Sequence, residues 1–149
     1  MIRSAEPTDE PDIRDCAEQA YAKYVPLIGR EPAPMVADFA AQIAAGIAFV
    51  AVDEGGVFQG FIVFLVEDDH VLLENVAVRP SAAGRGVGKS LIKFCEDTAR
   101  ARGSRAVHLY TNEKMTENLS IYPKLGYAEV GRRMEDGFSR VYFEKRVAL

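Results

Sequence analysis

Hydrophobic positions follow two rhythms along the chain. Ile13, Cys16, Ala17, Ala20, Tyr21 and Tyr24 recur at three- and four-residue steps, the spacing of one helix face. Pro26 and Gly29 predict its end, and 27–35, which holds Pro32 and Pro34, reads as a loop. Val36, Phe39, Ala40 and Ile43 predict a second helix, stopped by Gly46. The rhythm then shortens. Apolar runs at 47–52, 57–66 and 71–78 are separated by Asp53-Glu54-Gly55-Gly56 and Asp68-Asp69, which predicts an antiparallel meander of three strands. A glycine-rich turn follows. The helical rhythm returns over 88–102, with Leu91, Cys95, Thr98 and Ala99 on one face and Gly103 at the end. The apolar segment 106–110 is a strand reached by that helical crossover, so it should run parallel to 71–78. A short helix at 118–124 precedes Gly126, and strands at 127–134 and 139–146 flank Asp136-Gly137. With a short opening strand at 2–5, the pattern predicts an α+β fold: a mixed, twisted sheet with helices on both faces, in one domain spanning residues 1–149.

Composition narrows the function classes. Hydrophobic residues make up 48% and charged residues 27%, an ordinary globular balance. The net charge of −4 and the lack of a concentrated basic face argue against nucleic-acid binding; Arg132-Arg133 reads as solvated surface. Cys16 and Cys95 lie far apart on predicted apolar helix faces, so they read as core residues rather than metal or redox ligands. The start Met-Ile-Arg-Ser-Ala-Glu-Pro carries no apolar signal region, and no segment reads as a membrane span. The expectation is a cytoplasmic protein without a metal; a homodimer is compatible with the sequence.

The strongest chemical signal is the run from Val76 to Ser90. A strand, Val76-Ala77-Val78, leads through Arg79-Pro80 into Ala83-Gly84-Arg85-Gly86-Val87-Gly88-Lys89, where a helix opens. Glycines there allow positive φ and let backbone N–H groups converge, and the helix N-terminus adds positive potential, so the turn suits a pyrophosphate. Arg85 and Lys89 add charge. The same residues nearly spell a P-loop, with Ala83 in place of its first glycine. Three features count against a P-loop nucleotidase. The turn follows an antiparallel meander, whereas P-loop proteins build parallel sheets. No apolar strand ending in an aspartate follows to hold Mg²⁺. Only about 60 residues remain, too few for several more βα units. A dinucleotide fingerprint also fails, because Gly84, Gly86 and Gly88 give G-x-G-x-G.

At these residues the chain resembles the GNAT superfamily of acetyl-CoA-dependent N-acetyltransferases. The family signature [QR]-x-x-G-x-[GA] follows an apolar strand and matches here at Gly86 and Gly88, with Ala83 in the position of Gln or Arg. A second signature, a short helix ending Y-x-K-L-G-[FY], appears as Tyr122-Pro123-Lys124-Leu125-Gly126-Tyr127. The resemblance implies acetyl-CoA as co-substrate and a primary amine as acceptor. It places pantetheine along the backbone at Val76 to Val78 and the pyrophosphate on the N–H groups from Gly84 to Lys89. Tyr122 matches the family's general acid, and Tyr127 reads as packing. Asn118, one turn before Tyr122, is either a cofactor ligand or a helix cap.

Glu74 is the candidate base, since strand alternation would set it on one face with Val76 and Val78; the bland alternative is a solvated strand residue. His70 and His108 have no neighbouring motif. The resemblance implies that the two N-terminal helices and their loop wall the acceptor site, a region that offers Tyr21, Tyr24, Arg30 and Glu31; Glu31 suits a cationic amine and Arg30 a carboxylate, or both are loop surface. The acceptor classes left open are small metabolites, antibiotic-like amines and protein amines. A non-catalytic acetyl-CoA sensor is the alternative outside enzymes.

Overall fold

The computed structural model describes residues 1–147. In chain order the elements are β1 (Ile2–Ser4), α1 (Glu10–Tyr21), α2 (Val25–Ile28), α3 (Phe39–Ala44), β2 (Ala48–Val52), β3 (Phe58–Val66), β4 (His70–Val78), α4 (Val87–Ala101), β5 (Ala106–Asn112), α5 (Thr116–Lys124), β6 (Ala128–Glu135) and β7 (Phe138–Arg146). The strands form one seven-stranded sheet in the order β1-β2-β3-β4-β5-β7-β6. Every neighbouring pair is antiparallel except β4 and β5, which α4 joins as a crossover. The α+β architecture predicted from the apolar rhythm is the one observed.

The sheet separates two apolar layers. On one side Leu91, Cys95 and Ala99 of α4 pack with Val71, Leu73, Val107, Leu109, Tyr122 and Phe143. On the other, Ile13, Cys16 and Ala17 of α1 and Phe39 and Ile43 of α3 pack with Val50, Phe61 and Val63. Each fully buried side chain of this kind contributes about 1.5–3 kcal/mol. Cys16 and Cys95 belong to these layers, and burial pushes both thiols up to about 12, which makes them packing residues. Among the described residues no helix is long and apolar enough to cross a membrane.

Several boundaries differ from the sequence reading: α5 begins at Thr116 and β5 runs to Asn112, and the N-terminal helices differ most. The first helix stops at Tyr21, a 3-10 turn at Ala22–Tyr24 follows, and Pro26 then sits in the first turn of α2. A first-turn proline loses no helical bond, because its missing N–H would have had no partner there. Gly29, at φ 89°, is the actual stop. Val36 is exposed and lies outside α3, whose start is fixed by the Asp38 side chain accepting from Ala41 N–H at 3.1 Å.

Candidate active site

β4 and β5 pair in parallel only at His70–Leu73 with Ala106–Leu109. Beyond Leu73 and Leu109 the two strands part, so Glu74 to Val78 and Tyr110 to Asn112 border an open fork. On its other edge β4 stays paired with β3, but with one residue to spare. Leu73 opposes Phe64 and Asn75 opposes Val63, which leaves Glu74 as the extra residue of a β-bulge.

The bulge sets which main-chain groups face the fork. Arg79 N–H donates to Gln59 C=O at 2.8 Å, which fixes the phase of the β3–β4 ladder. Two residues back, Ala77 also turns toward β3. Its carbonyl oxygen lies 2.6 Å from where a Cβ on Gly60 would stand, an approach only glycine permits. By alternation, Val76 and Val78 turn their N–H and C=O groups into the fork. Of the three residues expected to meet pantetheine, Ala77 therefore does not present its main chain to the gap. The bulge also breaks the alternation expected to align Glu74 with Val76 and Val78. Val76 and Val78 pack on the α4 side, whereas the Glu74 carboxylate meets Gln42 Nε2 of α3 at 3.5 Å.

Downstream of β4, the chain makes a 3-10 turn at Pro80–Ala82 and passes through Ala83 in extended conformation. Gly84 and Gly86 then adopt φ of 79° and 78°, and Gly86 caps α4. A Cβ at either glycine would meet nothing within 4 Å, so the backbone there is open to approach. Gly88 has ordinary helical φ, and a Cβ would touch only Val78 at 3.5 Å. Ser90 N–H is bonded to Gly86 C=O at 3.0 Å, so Val87, Gly88 and Lys89 precede the first bond of the helix. Arg85 and Lys89 are exposed beside them. Arg79 is occupied otherwise: it pairs with Asp12 and Asp15 of α1 at 3.0 and 2.8 Å.

A cavity of about 170 Å³ opens at the fork, where the two strands part. Glu74, Val76, Asn118 and Tyr122 all line it. The Tyr122 ring packs against Tyr127 and Phe143, each 5.8 Å between centroids, and burial pushes its hydroxyl up to about 12. Among the described residues that hydroxyl makes no hydrogen bond. Tyr127 differs: its hydroxyl donates to Glu96 Oε2 at 2.9 Å, and Lys145 meets the other Glu96 oxygen at 3.1 Å. Burial first, and Glu67 second, raise the pKa of Glu74. Asn118 is not the cap of α5, a position held by Met115; its Nδ2 donates to Thr111 Oγ1 at 3.2 Å.

The remaining wall joins distant segments. The buried Tyr21 hydroxyl donates to Asn75 Oδ1 at 2.7 Å and lies 3.1 Å from the fork-facing Val76 carbonyl. Asn75 Nδ2 donates to Pro34 C=O at 2.8 Å, tying the α2–α3 loop to β4. Arg30 of that loop donates to Asp136 C=O at the β6–β7 turn and lies 3.6 Å over the Phe138 ring. Arg30 is thus engaged rather than free for a carboxylate. Glu31 is exposed and Tyr24 belongs to the α1-side core; neither lines the cavity. Gln42, Asn75, Tyr110 and Arg140 do line it and were not singled out from the sequence. Three of them, Asn75, Tyr110 and Arg140, sit on segments read as plain strand, and only the fold brings them to the fork. His70 and His108 stack at 4.2 Å on the paired end of β4 and β5, away from the cavity.

Comparison with known proteins adds a consistent pattern. A family model described as Acetyltransferase (GNAT) family matches residues 13–127. The chain is 28% identical over 85 residues to the streptothricin acetyltransferase of Streptomyces lavendulae, covering 56% of this chain and 45% of that protein. It is 32% identical over 72 residues to an IAA acetyltransferase of Azospirillum brasilense, covering 48% and 47%. The matches therefore span less than half the length of these curated relatives. In fold it is similar to the ribosomal-protein-S18-alanine N-acetyltransferase from Escherichia coli, with TM-score 0.76 and 21% identity over 100% of this chain and 94% of that one. It is also similar to the PaiA N-acetyltransferase from Thermoplasma acidophilum in complex with coenzyme A, with TM-score 0.78 and 16% identity over 98% of each chain.

Proposed function

The chain belongs to the acetyltransferase (GNAT) family, and from that premise we propose that it moves an acetyl group from acetyl-CoA to a primary amine by direct attack. The observation that carries this reading is the fork itself. Main-chain groups of Val76 and Val78 point into it, the glycine turn opens beside one end, and Glu74 and Tyr122 reach the cavity at the other. The residues fit acetyl-CoA as substrate. Pantetheine needs an extended partner with unpaired amides, which Val76 and Val78 supply. A pyrophosphate needs convergent N–H groups with no Cβ in the way, as at Gly84 to Lys89. Arg85 and Lys89 add charge, and Asn118 is placed to meet the cofactor near the reacting end.

Proton movements then divide between two side chains. Glu74 accepts a proton from the acceptor ammonium, and its raised pKa brings it closer to the task. The freed lone pair forms the C–N bond while the acetyl C–S bond breaks, and the attacking nitrogen gives up its second proton to solvent, which leaves a neutral amide. Tyr122 gives its hydroxyl proton to the departing thiolate and is reprotonated from solvent. Its elevated pKa keeps it in the donating form at neutral pH. A fork-facing N–H of Val76 or Val78 receives the charge that grows on the carbonyl oxygen.

The test is a panel of amines assayed for CoA release, with mass spectrometry of the product, alongside thermal melts. CoA should raise the midpoint, since a ligand of the folded state stabilises it. Release of CoA without a matching acetylated amine, or stronger stabilisation by ATP-Mg²⁺ than by CoA, overturns the proposal. Stabilisation by CoA with no turnover of any amine marks a sensor instead.

A further inference from the structure

The acceptor side of the cavity holds polar groups that the protein itself does not satisfy. Gln42 Oε1 is buried and has no hydrogen-bond partner among the described residues. Its amide nitrogen faces Glu74 Oε2 at 3.5 Å, so one amide group carries both the unpartnered oxygen and the one hydrogen-bond contact to that carboxylate among the described residues. The oxygen and the carboxylate both accept, and neither finds a donor beyond that long contact. An ammonium, with three N–H donors, is the group that fills such a pair.

Arg140 presents the opposite need. Its side chain is only 11% exposed and lines the same cavity. Its guanidinium carries five donors yet makes no hydrogen bond among the described residues. Among the described residues Asp136 is the one carboxylate within 4 Å, at 3.9 Å with its side chain 85% exposed, a contact too long and too wet to saturate it; Glu74 and Glu135 lie farther off around Tyr110. The guanidinium is held flat instead, 4.6 Å over the Tyr110 ring and 5.5 Å from Phe138. Tyr110 and Glu74 are the first residues past the point where β5 and β4 part. Burial raises the pKa of the Tyr110 hydroxyl, Arg140 lowers it and Glu74 raises it, so both charges act within reach of one hydroxyl. A cationic fork and an anionic pair therefore face one small space.

We propose, resting on the acetyl-transfer reading above, that the acceptor is a compact free amino acid, its ammonium held by Glu74 and Gln42 Oε1 and its carboxylate by the Arg140 guanidinium. The roof of the site agrees. Asn75 holds the α2–α3 loop at Pro34, and Arg30 holds it at Asp136 and Phe138, so the loop is fastened to both sides of a cavity of about 170 Å³. A free amino acid ends at its carboxylate, against Arg140. A polypeptide has an uncharged amide there, which leaves the guanidinium without a charged partner.

The experiment compares matched acceptors by CoA release: the common amino acids, their α-amides, the corresponding decarboxylated amines, and tripeptides with the same first residue. At least one acid should exceed its own amide, amine and tripeptide in kcat/KM by about 10- to 100-fold, the worth of a charged hydrogen-bonded pair. Arg140→Met should erase that ratio by raising KM for the acid while leaving the amide nearly unchanged. Arg140→Lys, which keeps the charge, should recover part of it. Gln42→Leu should raise KM for acid and amide alike. A merely structural Arg140 would lower acid and amide together and leave their ratio intact. Preference for amides, tripeptides or bare amines overturns the amino-acid assignment and leaves acetyl transfer standing. Turnover of no member of this panel overturns the amino-acid assignment alone; acetyl transfer falls only if the wider panel of amines is inert as well.

Discussion

Tyr122 and Tyr127 lie five residues apart with their rings 5.8 Å between centroids, yet replacing each by Phe should have opposite effects. Tyr122→Phe removes a hydroxyl that bonds to nothing among the described residues and keeps the ring contacts with Tyr127 and Phe143. No hydrogen bond is lost, so stability should change by no more than about 0.5 kcal/mol. Turnover should fall about 10²- to 10⁴-fold if the hydroxyl protonates the thiolate. Tyr127→Phe removes the 2.9 Å bond to buried Glu96 and leaves that carboxylate with Lys145 alone. A hydrogen bond to a charged group contributes about 1.5–3 kcal/mol, which lowers the melting midpoint by about 4–10 °C in a domain of this size. Assayed well below both midpoints, Tyr127→Phe should keep turnover within a few-fold of wild type. Urea and thermal unfolding give the stabilities; single-turnover acetylation isolates the chemical step. Near-normal single-turnover rates in Tyr122→Phe would remove the acid role. Loss of as much stability in Tyr122→Phe as in Tyr127→Phe would mean that the Tyr122 hydroxyl has a structural bond.

Four further substitutions have expected outcomes. Gly88→Ala should keep the fold, because its Cβ meets only Val78 at 3.5 Å, and should weaken CoA binding by calorimetry. Gly86→Ala should instead cost about 1–2 kcal/mol of stability even without ligand, since φ is 78° there. Glu74→Gln should lower the acetylation rate most at acidic pH, where the amine is protonated. The folded pKa of Glu74 is raised, so its neutral form favours the fold below about pH 4 and this contribution is lost as pH rises through the folded pKa. Glu74→Gln should thus melt higher than wild type at neutral pH and converge with it in acid; a lower midpoint at neutral pH would contradict the burial. Gly60→Ala sets a Cβ 2.6 Å from the Ala77 carbonyl, so urea unfolding should show a loss of about 1–3 kcal/mol, and the displaced Val76 and Val78 should weaken CoA binding too.

Much of the fold was legible because it depends on local rhythm. The period of Leu91, Cys95 and Ala99 gives α4, and the crossover it makes dictates the parallel β4–β5 pair. The glycine turn was readable for the same reason, as Gly84 and Gly86 each meet a local φ requirement. What escaped was non-local. The bulge at Glu74 leaves no mark in β4 itself, whose residues alternate between half-buried and buried throughout; it arises only from the register against β3. Arg140 reads as one cation in a polar strand until β7 pairs Arg140 with Asn112 and brings it to the cavity. Pro26 misled because proline breaks a helix interior but suits a helix start, and only the intervening 3-10 turn decides which applies.

The extra residue at Glu74 also gives β4 a reading frame. Upstream, Val71 and Leu73 pack on the α4 side; downstream, Val76 and Val78 do so, and the step of three across Glu74 is what shifts the count. Were Glu74 one of an unbroken alternation from Leu73, Asn75 and Ala77 would take those places. Asn75 would leave Tyr21 and Pro34, the contacts that tie α1 and the α2–α3 loop to β4. A change of chain length at this one point is therefore a different kind of mutation from any substitution there. It would transpose which residues turn their main chain into the fork and which hold the neighbouring segments, along the whole fork, in a single step.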